Sequence, residues 1–106
     1  MDIKRARLEK LLMEEIASLV LRELKDPRLA DIVITYVELS QDMKKAKVYF
    51  TTLQEGKEEE AESALNHASS YIRSQLAKSL KLKRIPELEF LFDKELKRME
   101  RIWQKL

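Results

Sequence analysis

The chain has 106 residues and a net charge of +2, and 38% of its residues are charged. Its length suits one domain, residues 1–106, with a single modest core, and its 44% hydrophobic content is too high for a disordered chain. The absence of cysteine excludes disulfides, thiolate chemistry and cysteine-ligated zinc. No apolar run approaches the roughly 20 residues that span a membrane, and the charged start predicts no signal peptide. We therefore expect a cytoplasmic protein that does not bind a membrane.

An amphipathic helix is predicted for Ile3–Lys25. Its apolar residues recur at intervals of three or four, with charged residues between them, and they are Leu8, Leu12, Ile16, Leu19, Val20 and Leu24. That spacing places them on one face of a helix. Pro27 disfavours helical geometry at Asp26, so the helix is expected to end near Lys25. We interpret Asp26-Pro27-Arg28 as a helix stop followed by a turn.

A β-hairpin follows, with strands predicted for Asp31–Ser40 and Ala46–Leu53 and a polar connection at Gln41–Lys45. Both segments are rich in β-branched and aromatic residues, which favour strands. Simple alternation divides the first strand into two faces, with Val33, Val37 and Leu39 on one and Ile34 and Tyr36 on the other. The same rule places the apolar residues of the second strand on a single side, namely Ala46, Val48 and Phe50.

A long helical pattern extends from Lys57 to Leu82, after a boundary at Gly56. Its apolar stripe consists of Ala61, Leu65, Ala68, Ile72, Leu76 and Leu80. A helix of this length is unusual in so small a domain, so a break is expected. The weakest point is Ser69-Ser70, because serine side chains compete for backbone hydrogen bonds. We predict a kink at Ala68-Ser69-Ser70.

The end of the chain predicts one more strand and one more helix. Residues 88–92 alternate, with Leu88, Phe90 and Phe92 on one face, and Phe90 is expected to be buried. Asp93 can cap a last helix, whose apolar face would carry Leu96, Met99, Trp103 and Leu106. The predicted order is therefore helix, strand, strand, helix, helix, strand, helix.

The positive charge of the chain is concentrated in Ser63–Pro86, which contains five basic residues and no acidic one. Phosphate contacts by lysine and arginine supply much of the affinity for nucleic acid, so this segment is a candidate RNA surface. The alternative is that Lys78, Lys81 and Lys83 form a solvated helix end. Arg73 lies far from that end and favours RNA, because a guanidinium can grip phosphate with two N–H groups or stack on a base.

The kink adds a second element, since backbone N–H groups at a helix start attract phosphate. The candidate RNA-binding residues are Arg5, Arg7, Ser69, Ser70, Arg73, Lys78, Lys81, Lys83 and Arg84.

An enzyme is not expected, because a lone histidine, His67, cannot form a conventional catalytic pair or metal site. Phosphate-cradling loops require glycines that the chain does not have. No cofactor, metal or small-molecule substrate is therefore predicted.

Three segments in order resemble the ribosome-binding factor A family of bacterial small-subunit assembly proteins. They are KDPRL (25–29), VELSQDMKKAKVYF (37–50) and ASSYIRSQLAKSLKLKRIPELEFLFD (68–93). The resemblance implies an α+β, type II KH-like domain, a three-stranded sheet with helices on one face. It also implies a monomer that binds the small ribosomal subunit and its ribosomal RNA during late maturation.

The sequence departs from the related patterns at its glycines. Ordinary KH domains clamp nucleic acid with a GxxG loop, which a chain with the single glycine Gly56 cannot form. The Ala-x-Gly kink of the resembled family reads Ala68-Ser69-Ser70 here.

An alternative function is a protein-interaction module that docks on a ribosomal protein or translation factor through the charged first helix. Salt dependence distinguishes the two, because phosphate contacts release counterions.

Overall fold

The structure is a computed structural model and describes residues 3–95. In chain order the elements are α1 (Ile3–Glu23), a 3₁₀ turn (Pro27–Leu29), β1 (Ile32–Leu39), β2 (Lys45–Thr52), α2 (Glu58–His67), α3 (Ser69–Ser79) and β3 (Glu87–Phe92). This order follows the prediction up to β3. The predicted last helix, with Leu96, Met99, Trp103 and Leu106, lies outside the described residues.

The sheet has the strand order β1-β2-β3. β1 pairs with β2 antiparallel across the hairpin, whereas β3 pairs with β2 in parallel, because α2 and α3 carry the chain back between them. α1 packs on β1, α2 packs on β3, and α3 contacts both α1 and β3. The helices therefore share one face of the sheet, as predicted. This α+β arrangement is a type II KH-like fold.

The core lies between that face and the helices. Its largest fully buried side chains are Leu12, Ile16, Val48, Phe50, Leu65, Ile72, Leu76 and Phe90. Phe50 and Phe92 meet edge to face, with ring centroids 5.9 Å apart. Burial of each such side chain contributes about 1.5–3 kcal/mol, so this layer is the main source of stability. None of the helices in residues 3–95 combines the length and the apolar character that a membrane-spanning segment needs.

The predicted faces of β1 are wrong at its start. Ile34 is buried and Val33 is 44% exposed, the reverse of simple alternation relative to Val37. The cause is a β-bulge, because Ile34 pairs with Phe50 and the next pair is Tyr36 with Tyr49. One extra residue, Thr35, thus faces no partner and shifts the alternation by one.

The predicted break in the long helix is confirmed at Ala68, where α2 ends and α3 begins. Ala68 has φ −87° and ψ 1°, and its N–H donates to the carbonyls of both Ala64 and Leu65. The expected cause was a serine side chain bonded to the backbone. Neither cap of the break has a side-chain hydrogen bond, so the backbone of Ala68 forms the kink and the serine hydroxyls do not.

Candidate nucleic-acid interface

One end of the sheet carries three of the seven candidate basic residues, Arg73, Lys83 and Arg84. β2 and β3 run parallel and start at Lys45 and Glu87, so the segments that precede them lie side by side. These segments are the β1–β2 turn and residues 83–86. Together with Lys45, the first residue of β2, they present four exposed basic residues, which we call the basic end: Lys44, Lys45, Lys83 and Arg84.

A depression of about 680 Å³ lies at the basic end and brings both segments together. It is lined by Leu8 of α1, by Asp42, Met43 and Lys44 of the turn, and by Arg73 and residues 83–87. Asp42 and Glu87 are its acidic members. Its basic members are Lys44, Lys83 and Arg84 of the basic end together with Arg73, so cations outnumber acids four to two and the local charge is positive. A concave positive surface concentrates the field on an approaching anion.

The turn that carries Lys44 is held by its own hydrogen bonds. The Ser40 hydroxyl donates to Asp42 Oδ1 at 2.7 Å, and the N–H of Lys44 donates to the same oxygen at 3.0 Å. Ser40 Oγ in turn accepts from the N–H of Lys45 at 3.1 Å. The Ser40 hydroxyl and then the Lys44 N–H lower the pKa of Asp42 below its usual value. The backbone under both lysines is therefore ordered before any ligand arrives.

Met43 completes this turn in a left-handed conformation with φ 62°. Such angles are uncommon for residues other than glycine, and Met43 is partly buried in the wall of the depression. The hydrogen bonds on either side of it hold the backbone in this conformation.

Arg73 is positioned differently from the prediction of a phosphate grip. Its Nε donates to the Pro86 carbonyl at 3.0 Å and its Nη2 donates to the Ile85 carbonyl at 2.9 Å. One of the two guanidinium edges suited to two-pronged binding, the Nε and Nη2 edge, is thus used inside the protein. These bonds tie α3 to the segment before β3 and so hold Lys83 and Arg84 in place.

A second cleft, of about 390 Å³, follows the outer edge of β3. Ser69, Ser70 and Arg73 line one side of it, and its other walls are formed by Lys45, Ala46, Lys47, Asn66 and residues 87–89. The cleft joins the kink to β2, so both serines and Arg73 come together as predicted. It also adds Lys47, a residue that the charge count did not single out.

Side chains of α2 close most of this strand edge. Asn66 Nδ2 donates to the Phe90 carbonyl at 3.0 Å, and Asn66 Oδ1 accepts from the Phe90 N–H at 2.9 Å. Glu62 accepts from the N–H of Phe92 at 2.9 Å. By alternation the N–H and C=O of Leu88 face the same edge, and they have no partner among the described residues. The edge is therefore open at the second cleft.

The remaining candidate residues lie around these features. Lys78 and Lys81 are exposed at the end of α3 and line neither cleft. Arg5 and Arg7 lie in the first turns of α1, within three residues of Leu8, which does line the depression. The structure thus brings Arg73, Lys83 and Arg84 together at the depression. The other four basic candidates, Arg5, Arg7, Lys78 and Lys81, lie at its margin.

Sequence reasoning missed Lys44, Lys45 and Lys47. The signal is present in the run DMKKAK, but Asp42 interrupts it, so it does not stand out as a stretch free of acids. Only the parallel pairing of β2 with β3 brings this run beside Lys83 and Arg84.

The opposite end of the molecule is acidic and holds the predicted turn. Asp26 accepts from the N–H of Arg28 at 2.9 Å and from its guanidinium Nη2 at 2.7 Å. These contacts lower the pKa of Asp26 and raise the pKa of Arg28. The structural interpretation of Asp26-Pro27-Arg28 is confirmed. The acidic first turn of α2, Glu58–Glu60, lies at the same end. The two ends of the molecule therefore carry opposite charge.

Comparison with known proteins gives consistent matches over most of the chain. The family model described as Ribosome-binding factor A matches residues 4–106. A relative of that name from Thermodesulfovibrio yellowstonii is 46% identical over 104 residues, which is 97% of this chain and 88% of the relative. The crystal structure of ribosome-binding factor A from Thermus thermophilus matches with a TM-score of 0.73 and 34% identity, over 82% of this chain and 93% of that chain.

A further match is a homology model of the Thermus thermophilus ribosome binding factor A, fitted into the cryo-EM map of a 30S complex. It has a TM-score of 0.70 and 36% identity, and the match covers 81% of this chain and 91% of that chain. The family model and these relatives all cover most of the sequence and the fold. The chain therefore belongs to the ribosome-binding factor A family.

Proposed function

We propose that the chain is a non-catalytic assembly factor that binds the maturing small ribosomal subunit through its ribosomal RNA and promotes late rRNA processing. On this proposal residues 1–106 act as one RNA-binding domain, a monomer in the cytoplasm that needs no cofactor and takes no small-molecule substrate. The observation that carries the proposal is the basic end, a concave positive surface on an ordered turn and segment. The related protein that was fitted into a 30S complex supports the choice of partner.

The basic end would contact phosphates, and the second cleft would contact the adjacent nucleotide. Lys44 and Lys45 project from a turn whose backbone is already hydrogen-bonded, and Arg73 holds Lys83 and Arg84. Binding to a pre-ordered surface loses less conformational entropy than binding to a mobile one. The open N–H and C=O of Leu88 can pair with a base edge or a 2′-hydroxyl, the groups by which proteins read RNA.

The function of such binding would be to hold one conformation of the immature RNA until processing is complete. The factor would then leave, because the mature RNA no longer presents the same arrangement of phosphates. Recognition would follow the shape and backbone of the RNA, since lysine and arginine contacts to phosphate carry little sequence information.

The test is co-sedimentation with purified small subunits that carry either immature or mature rRNA ends, at several salt concentrations. If four phosphates are neutralised, the logarithm of the affinity should fall with that of the salt concentration with a slope of roughly −2.8 to −3.6. The variant Lys83→Glu/Arg84→Glu should lose binding. The matched control is Lys25→Glu/Lys57→Glu, which makes the same charge change at residues away from the basic end.

Equal loss in both double variants would show that only net charge matters and would refute the assignment to the basic end. Parent-like binding by Lys83→Glu/Arg84→Glu would refute it as well. Docking on a protein through α1 has one observation in its favour, the 86% exposure of Leu21 on that helix. That alternative predicts weak salt dependence and loss of binding in Leu21→Lys.

A further inference from the structure

The depression at the basic end has an apolar interior inside a charged rim. Its exposed lining residues are all charged: Asp42, Lys44, Lys83, Arg84 and Glu87. Its apolar lining residues are partly or fully buried: Leu8, Met43, Ile85 and Pro86. A phosphate group would use the rim alone, since it binds through charge and hydrogen bonds. The apolar interior therefore indicates a ligand that has an apolar surface as well as negative charge.

A nucleotide has both properties, because its base has two flat apolar faces and the phosphates on either side of it are negative. The depression measures about 680 Å³, within the range of roughly 300–1,000 Å³ for sites that enclose small ligands, so one base fits. A base inside a double helix is stacked between its neighbours and cannot enter. A base in a loop, a bulge or a strand end can be splayed out. The ligand that fits the depression is therefore an unpaired nucleotide.

Hydrogen bonds hold two sides of the depression in place. Arg73 donates to the carbonyl of Ile85 at 2.9 Å and to that of Pro86 at 3.0 Å, which fixes two of the apolar lining residues. The N–H of Glu87 donates to the Lys44 carbonyl at 2.9 Å, which ties the segment before β3 to the β1–β2 turn. The depression therefore keeps its shape without a ligand, and binding loses less conformational entropy.

The conformation of Met43 favours the same ligand. Its φ of 62° is an angle that glycine adopts without steric cost and that is uncommon for other residues. A glycine would form the same turn, so what methionine adds at this position is its side chain in the wall of the depression. A methionine side chain adapts to the shape of its partner, and its sulfur makes favourable contacts with aromatic rings. A nucleobase is such a ring.

We propose that the depression binds one unpaired base of the RNA, with the cations of its rim on the phosphates that flank this base. The inference rests on the proposed function and adds the class of ligand, a bulge, loop or strand end and not a regular duplex. The apolar lining contacts the face that every base has, so the site takes any base. The depression shares Arg73 and Glu87 with the second cleft, so the two clefts take successive nucleotides.

The first test separates the Met43 side chain from the charged rim, by co-sedimentation with small subunits. Met43→Gly should bind roughly eightfold more weakly than the parent, if the base covers about 50 Å² of the side chain. The logarithm of its affinity should fall with that of the salt concentration with the slope of the parent, because no phosphate contact is lost. Its Tm should stay within about 5 °C of the parent, because the relief of the left-handed backbone offsets the lost burial.

Met43→Leu is the matched control, since it keeps an apolar side chain of similar size at the same position. It should bind within about threefold of the parent. Parent-like binding by Met43→Gly would overturn the proposal. An equal loss in Met43→Leu would also contradict it, because the apolar surface of residue 43 would then not be the contact. A fall in Tm of more than about 10 °C in Met43→Gly would assign the side chain a structural role and exclude the proposed one.

The second test measures the base directly, with three fluorescein-labelled RNA hairpins of one sequence. One has a fully paired stem, one has a single-nucleotide bulge, and one has an abasic residue in that bulge. The abasic hairpin is the matched control, because it keeps the phosphates and lacks the base. Fluorescence anisotropy should show that the parent binds the bulged hairpin about fivefold more tightly than the abasic one. Met43→Gly should reduce this difference.

The hairpins also distinguish failure of the base site from failure of the proposed function. Equal affinity for the bulged and abasic hairpins, with the salt dependence of phosphate contacts, would overturn the base site and leave the proposed function standing. Binding to none of the hairpins, together with subunit binding that does not depend on salt, would refute both.

Discussion

Replacement of Arg73 by methionine tests whether this side chain holds the segment before β3 or binds RNA itself. Its guanidinium makes two hydrogen bonds, to the Pro86 carbonyl at 3.0 Å and to the Ile85 carbonyl at 2.9 Å. Methionine keeps the apolar stem and removes every donor. Lys78→Met is the matched control, because Lys78 lies in the same helix, is exposed and has no hydrogen-bonding partner for its side chain among the described residues.

The expected loss can be worked out from these contacts. A hydrogen bond with a charged partner contributes about 1.5–3 kcal/mol. Arg73 is half-buried, so water can partly replace the guanidinium at both carbonyls. We therefore expect a loss of about 2 kcal/mol of unfolding free energy for the pair, not the full sum. In a domain of this size that lowers Tm by roughly 8–16 °C. Lys78→Met should change the unfolding free energy by less than about 0.5 kcal/mol.

Urea denaturation followed by circular dichroism measures the stability, and co-sedimentation with small subunits at several salt concentrations measures the binding. If Arg73 only holds the segment before β3 in place, Arg73→Met binds more weakly. The logarithm of its affinity should still fall with that of the salt concentration with the same slope as in the parent, since the number of phosphate contacts is unchanged. If Arg73 contacts a phosphate, the slope becomes shallower by roughly 0.7–0.9. A shallower slope together with the stability of the control would refute the positioning role.

Phe90→Ala should cost about 3–5 kcal/mol, because Phe90 is fully buried, and a Tm close to that of the parent would contradict the packing of β3. Ser69→Ala/Ser70→Ala should keep the helical circular dichroism of the parent, because neither hydroxyl caps the break. A gain in helicity would show that the serines do maintain it. The pKa of Asp42 is lowered in the folded state, so its contribution to stability is present above the unfolded pKa of about 3.9 and is lost as the pH falls through the folded pKa. Ser40→Ala should raise this pKa, as NMR titration of the carboxyl would measure, and an unchanged pKa would exclude the Ser40 hydroxyl as its cause.

Features that depend on near neighbours in the chain could be predicted from the sequence. The apolar spacing of α1 and the proline after it predicted a helix that the structure ends at Glu23. The kink at Ala68 and the burial of Phe90 were also predicted. Each rests on geometry within one or two helical turns or on strand alternation, where the residue types alone decide the favoured conformation. The three matching segments likewise indicated the family by their residues and their order alone.

Features that depend on contacts between distant residues required the tertiary structure. The bulge at Thr35 has no signature in a run of strand-forming residues, and it exchanged the faces of Val33 and Ile34. The inward direction of Arg73 follows from carbonyls 12 and 13 residues further along the chain.

The basic end itself arises from the parallel pairing of β2 with β3, which brings Lys44 and Lys45 beside Lys83 and Arg84. Residue composition sets how much charge and apolar surface a segment carries. Which segments become neighbours is decided by long-range backbone hydrogen bonds and by the packing of the helices, and these involve groups that every residue shares.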